Sequence, residues 1–187
     1  MAAIAVSAIG CAGEEPTEPS ETMELPTSPP SEAPAVLDLE MMTDEELLAE
    51  ADRSYRGFLD DVREMRAAGS SDYMTLTEWA TEGFSEQFYT TYTETLPSGT
   101  HIEGTQEIVD IALTSKNDWK HEQVRVSVCI DNTSLELVTD SGEVLDTSNG
   151  PDTSDGVLVL EMAPDGTKLL ISRELASTTA SEALCAR

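Results

Sequence analysis

The chain has 187 residues, with 37 Asp and Glu against 10 Lys and Arg, for a formal net charge of -27. So many uncompensated carboxylates repel phosphates over a Debye length, which argues against nucleic acid and anionic headgroups as partners. The length suits one globular domain with a tail, and hydrophobic residues, 39% of the chain, are scarcest over residues 13–35.

Met1 to Gly10, MAAIAVSAIG, is apolar over about half the length of a bilayer-spanning helix. It ends in Ala8-Ile9-Gly10-Cys11, which resembles the lipobox of bacterial lipoprotein signal peptides. The resemblance implies that Cys11 becomes the first mature residue, that its sulfur carries diacylglycerol, and that the exported protein is anchored on the outer face of the cell membrane. Residues 1–10 then form the signal segment. No Lys or Arg precedes the apolar run, so that segment reads as truncated at its start. A free Cys11 in an apolar tail is the other reading. Residues 11–42 are rich in Pro, Glu, Ser and Thr and lack any basic residue. They bury too little apolar area to offset the entropy of ordering, so they are expected to form a solvated tether.

The domain is expected over 43–187. Thr43-Asp44-Glu45-Glu46 is a capping-box pattern that predicts a helix start. Leu47, Leu48, Ala51, Tyr55, Phe58, Leu59, Val62 and Met65 then recur every three or four residues, and Gly69 supplies a left-handed stop. Acidic residues in the first turn and Arg63 and Arg66 near the end suit the helix dipole. Ser71 to Gly99 reads as two short helices, the first carrying Leu76, Trp79 and Ala80 and ending at Gly83, the second capped by Ser85 with Phe88, Tyr89, Tyr92 and Leu96 on one face.

Strands are predicted at Ile102 to Leu113, Gln123 to Ile130, Ser134 to Thr139, Gly156 to Met162 and Lys168 to Glu174. In the second, Val124, Val126, Val128 and Ile130 alternate with Arg125, Ser127 and Cys129, the pattern of a half-buried strand. The Leu135 and Leu137 strand is expected to be its short partner, the two forming the middle of a curved sheet. Ser141 to Asp155 reads as an exposed loop, and Ala163-Pro164-Asp165-Gly166 as a hairpin turn.

A long helix, two shorter ones and an antiparallel meander define an α+β class in which N-terminal helices pack in a curved antiparallel sheet. That order resembles the cone-shaped nuclear transport factor 2-like (cystatin-like) superfamily. The Leu76–Gly83 stretch ahead of a helix, His101-Ile102-Glu103-Gly104-Thr105 before the first strand, and Val128-Cys129-Ile130-Asp131 before a short strand resemble small actinobacterial secreted lipoproteins of that type, over Thr43 to Leu175. The resemblance implies an exported, often lipid-anchored domain with no assigned reaction, binding a small ligand or an envelope partner. Many cones also dimerise through their sheet face, so a homodimer is compatible.

Enzymes of the superfamily commonly use an Asp or Asp–His pair in the cone's mouth, which implies Asp131 as the acid of an alternative isomerase, cyclase or hydrolase. Neither His101 nor His121 is evidently paired with a carboxylate. Tyr55, Phe58, Trp79, Phe88 and Tyr92, with Asp131, are the candidate cavity lining, although an aromatic stripe at helical spacing more often builds core. The chain lacks G-x-S-x-G, HExxH, CxxC, a phosphate-cradling glycine loop and calcium-loop spacing, so no catalytic residue, metal or cofactor is expected. With Cys11 lipidated, Cys129 and Cys185 remain as an even pair in an oxidising compartment, expected to form a disulfide; two unrelated buried thiols are the alternative.

Overall fold

A computed structural model describes residues 36–69, 72–116, 123–145, 151–177 and 184–185. Cys11, the signal segment, most of the tether and His121 lie outside the described residues.

The first helix, α1 (Asp44–Ala67), starts where the capping box places it. Thr43 Oγ1 accepts from Glu46 N at 3.2 Å, and Glu46 accepts from Thr43 N at 2.8 Å. These bonds satisfy two N–H groups that a helix start leaves orphaned, and they hold the Glu46 carboxyl below its ordinary value. Gly69 follows the helix with φ +56°. One face buries Leu47, Ala51, Tyr55, Phe58, Val62 and Met65. The domain begins earlier than residue 43: Leu37 N donates to Gly166 O at 2.7 Å and Leu39 is buried. Sequence reasoning placed these residues in the tether because Val36, Leu37 and Leu39 are too few to show a period.

A short 3-10 helix (Tyr73–Glu78) and α2 (Glu82–Thr95) follow. Ser85 does not cap α2. Thr81 does, its Oγ1 accepting from Phe84 N at 3.4 Å, while Gly83 lies inside the helix and Ser85 is buried in it.

The strands form two antiparallel sheets rather than one. The larger has the order β2 (Glu107–Lys116), β3 (Gln123–Asp131), β6 (Thr153–Met162), β7 (Leu169–Ala176). The smaller has the order β1 (Thr100–Glu103), β4 (Glu136–Thr139), β5 (Val144–Leu145). The single strand expected over 102–113 is split at Gly104, whose φ is +97° and where a Cβ would lie 2.0 Å from Ser134 O. The expected pairing of β4 with β3 is not formed. Both edges of β3 are taken, by β2 and β6, so β4 pairs with β1 and β5 instead. Likewise the 141–155 stretch is not all loop, since it contains β5 and the start of β6.

Helix α1 contacts strands of both sheets. Val124, Val126, Val128 and Ile130 of β3, with Leu158 and Leu160 of β6, face the helical core. β3 is nevertheless not half-buried: Ser127 and Cys129 on its other face are buried as well. There Cys129 is joined to Cys185 by a disulfide, and Leu184 is buried. Asp155, opposite Cys129 in the ladder, accepts from Leu184 N at 2.5 Å and Cys185 N at 2.8 Å. Leu184 and Cys185 are thereby held on the back of the sheet.

Trp79 lies flat on α1 over Gly57, where a Cβ would meet its ring at 2.3 Å. Arg53 and Lys168 flank the same ring at 5.5 and 5.2 Å from its centre. Gly57→Ala improves local helix propensity yet must displace the ring. It should therefore destabilise the domain, by about 1–3 kcal/mol for overpacking. In a Trp119→Phe background its Trp79 emission should shift to the red; an unshifted, more stable variant would contradict this packing.

Candidate ligand recess

Along β7, Leu169 and Ile171 point into the core. Plain alternation would send Arg173 and Leu175 the same way. The pairing with β6 instead slips, from Leu160 opposite Ile171 to Val159 opposite Arg173, so Ser172 is an extra residue in the strand. Its hydroxyl donates to Val159 O at 3.1 Å. Such a bulge reverses the face of every later side chain. Glu174 therefore lies opposite the core residue Leu158, and Ala176 opposite Gly156.

The small Gly156 and Ala176 leave room beside Glu174; a Cβ on Gly156 would lie 3.2 Å from Glu174 Oε1. Across from this half of β7 runs α2, whose Phe84, Gln87, Phe88 and Thr91 occupy one helical face. Between them is a recess of about 490 Å³. The first half of the same edge is closed differently, by Thr81 N donating to Ile171 O and Ile171 N donating to Trp79 O. The recess thus sits where the edge of β7 is left uncovered by that segment.

The Glu174 side chain makes no ion pair or hydrogen bond with the described residues. Burial in the recess raises its carboxyl above the ordinary 4.5, although the side chain stays reachable from solvent through the open mouth. Tyr55 is buried nearby, its phenol raised first by burial and then by the Glu174 charge. The raised carboxyl has a sign that can be tested. Protonation is favoured in the folded state, so Glu174 contributes stability that is full below 4.5 and lost as pH rises through the folded value. Glu174→Gln should accordingly raise the melting temperature at about pH 7 and leave it unchanged near pH 3.5. An equal change at both values would show that the carboxyl is not desolvated.

The candidate lining residues are dispersed. Tyr55 and Phe58 belong to the core, 4% and 2% exposed. Phe58 packs on Phe88 at 5.2 Å edge-on and on Phe84 at 5.6 Å, so these rings fill the space between α1 and α2 behind the recess. Phe88 alone of the named set lines the recess. Trp79 covers Gly57, and Tyr92 stands under Arg66 at a separate pocket. Asp131 is not a buried acid. Its Oδ1 accepts from Thr133 N at 2.8 Å in the exposed turn after β3, and that backbone bond, with the Thr133 side chain, holds its carboxyl below the ordinary value. A general acid needs the opposite shift. His101 bonds Glu103 at 3.0 Å.

Phe84 belongs to the same aromatic run as Phe88, whereas Glu174 has no signal in the sequence as a site residue, because the bulge alone brings it to this face. A hollow of about 530 Å³, slightly larger than the recess, lies at Leu96, Ile102, Leu135 and Leu137. Its charged walls are Glu136 and Asp152, and it lacks the aromatic rings that line the recess beside Glu174. Among the described residues no group of three His, Cys, Asp or Glu could hold a metal ion, and no helix is long and apolar enough to cross a membrane.

Fold and site together define an α+β domain with an aromatic-backed, acid-bearing recess. No family model matches the chain, and no curated protein matches it.

Proposed function

We propose that the chain is an exported lipoprotein, held on the outer face of the cell membrane by a lipid at Cys11, whose nuclear transport factor 2-like cone domain binds a small ligand without catalysis. The observation that carries the reading is the recess itself. Its volume of about 490 Å³ falls in the range of small-molecule sites, and it combines Phe84 and Phe88 with the Glu174 carboxylate, which no described side chain pairs, the polar Gln87 and Thr91, and Asp155 and Arg173, which are engaged by Leu184 and Cys185 N and by Gln123. A molecule with an apolar body and a cationic head fits those walls: the rings cover the body and Glu174 takes the charge. The surplus of 37 acidic over 10 basic residues draws such ligands toward the surface.

Phenethylamine serves as the probe. It should shift the Phe84, Phe88 and Glu174 resonances saturably in the full chain. Glu174→Gln should weaken it about tenfold, and Ala176→Leu, which fills the recess, should abolish the shifts. Shifts spread over the acidic surface and indifferent to both substitutions would refute the reading. For the anchor, radiolabelled palmitate should mark the wild type and not Cys11→Ala.

A second reading, a cone-type isomerase, cyclase or hydrolase, is favoured by one observation only: burial raises the Glu174 carboxyl in the recess, while the bonds to Thr133 lower that of Asp131. It predicts chemical change of a bound ligand, lost in Glu174→Gln. Non-catalytic binding predicts that the ligand is recovered unchanged.

A further inference from the structure

At the C-terminal end of α1, away from Glu174, stands Arg66, which like Arg173 on Gln123 is met by an amide and not by a carboxylate among the described residues. Arg53, Arg56, Arg63, Lys116 and Lys168 pair with Glu50, Asp52, Asp60, Asp44 and Glu78. In a chain with 37 acidic residues that is the ordinary outcome. Arg66 has no carboxylate partner among the described residues. Its guanidinium lies 5.4 Å over the Tyr92 ring, Nη1 reaches Gln106 Oε1 only at 3.4 Å, and Nε is enclosed with no acceptor. Gln106 is itself committed, donating from Nε2 to Asn132 Oδ1 at 2.9 Å.

An enclosed donor without an acceptor is uncommon and destabilising, more so when it is charged. Burial disfavours the charged Arg66, with Tyr92 opposing that effect. The group lines a pocket of about 300 Å³ together with Tyr89, Tyr92, Pro97, Gly99 and the start of β1 at Thr100 and His101. We infer that this pocket is an anion site in which Arg66 receives the carboxylate of a small aromatic acid, with Tyr89 and Tyr92 against its ring. The carboxylate is favoured over phosphate by shape and by charge. A guanidinium presents parallel N–H groups that match a planar carboxylate, while the net charge of -27 and the carbonyl end of α1 oppose a dianion. The tyrosine faces supply a flat apolar wall. This site does not depend on the recess at Glu174, and its ligand has the opposite charge.

The test is a titration of the isotope-labelled full chain with benzoate at constant ionic strength, repeated with inorganic phosphate. The inference expects saturable benzoate shifts at Gly99, Thr100 and His101, and weaker ones with phosphate. Arg66→Gln should weaken benzoate binding about tenfold or more, and Arg66→Lys should recover part of the loss. Phenethylamine should leave these residues unmoved. Benzoate shifts that are absent, that fail to saturate, or that survive Arg66→Gln unchanged would overturn the site. If Arg66→Gln does not fold, the wild type decides: cross-relaxation between benzoate and Tyr92 ring protons supports the site, and its absence with saturating benzoate overturns it.

Discussion

Phe58→Ala should lower the unfolding free energy by about 3–5 kcal/mol, the range for truncating a buried phenylalanine. Phe58 is 2% exposed and stands at the centre of the helical layer, 6.4 Å from Tyr55 in a stacked pair, 5.6 Å from Phe84 and 5.2 Å from Phe88. Its removal takes away both the transfer free energy of the ring and the edge-to-face contacts that join α1 to α2. The neighbours cannot close the gap easily, because Phe84 and Phe88 are held by α2 and Tyr55 by α1 itself. Urea denaturation measures the loss, and Phe58→Leu should recover part of it. A loss below about 1 kcal/mol would mean that the layer collapses on the cavity and is not rigidly packed. The same substitution should weaken ligand binding in the recess, whose aromatic wall rests on Phe58.

Removing the disulfide has the other large effect. The bond joins positions 56 residues apart and fastens Leu184 and Cys185 over the back of β3 and β6. In the chain-entropy account a loop of this size is worth about 4 kcal/mol. For a domain of this length that corresponds to a fall of roughly 10 °C in melting temperature. Calorimetry with and without a thiol reductant should show the fall in the wild type. The Cys129→Ser, Cys185→Ser variant should melt at the reduced temperature and ignore the reductant. Equal melting of oxidised and reduced wild type would mean that the Asp155 bonds and the burial of Leu184 hold the C-terminal end by themselves.

What could be read from the residues was whatever repeats over several turns or alternates over several positions. Thr43 and Glu46 announce α1 because a capping box is local, and the stripe from Leu47 to Met65 needs only the helical period. Val124 to Ile130 shows β3 for the same reason. One misreading was local, and the others came from events decided at a distance. Ser85 looked like a cap because Gly83 looked like a breaker, yet the Thr81 bond to Phe84 N carries the helix through Gly83. β4 followed β3 closely enough to suggest a hairpin, but β6 arrives from later in the chain to occupy that edge. The pairing of Cys129 with Cys185 followed from the expectation of an oxidising compartment and an even count; the hydrogen bonds of Asp155 that seat Leu184 and Cys185 could not.

The site was the least legible part, and Ser172 is the reason. From LLISRELA, alternation puts Arg173 and Leu175 with the core and Glu174 with solvent. One extra residue against β6 reverses that assignment, and nothing in the composition of the strand marks it. Asp131 drew attention instead because it lies beside the motif that resembles the cone lipoproteins. Its turn with Thr133 uses the carboxylate as a backbone acceptor and leaves it a stabilised anion.

The proposal that the recess binds a cationic ligand is tested most directly by the titration of Glu174 itself, followed through its side-chain carboxyl carbon by NMR. Free protein should titrate above the ordinary 4.5, and saturating phenethylamine should bring the value down, because a cation beside the carboxylate favours its charged form. A Glu174 carboxyl that titrates at or below 4.5 and does not respond to the amine would contradict both the desolvated recess and the ligand assigned to it.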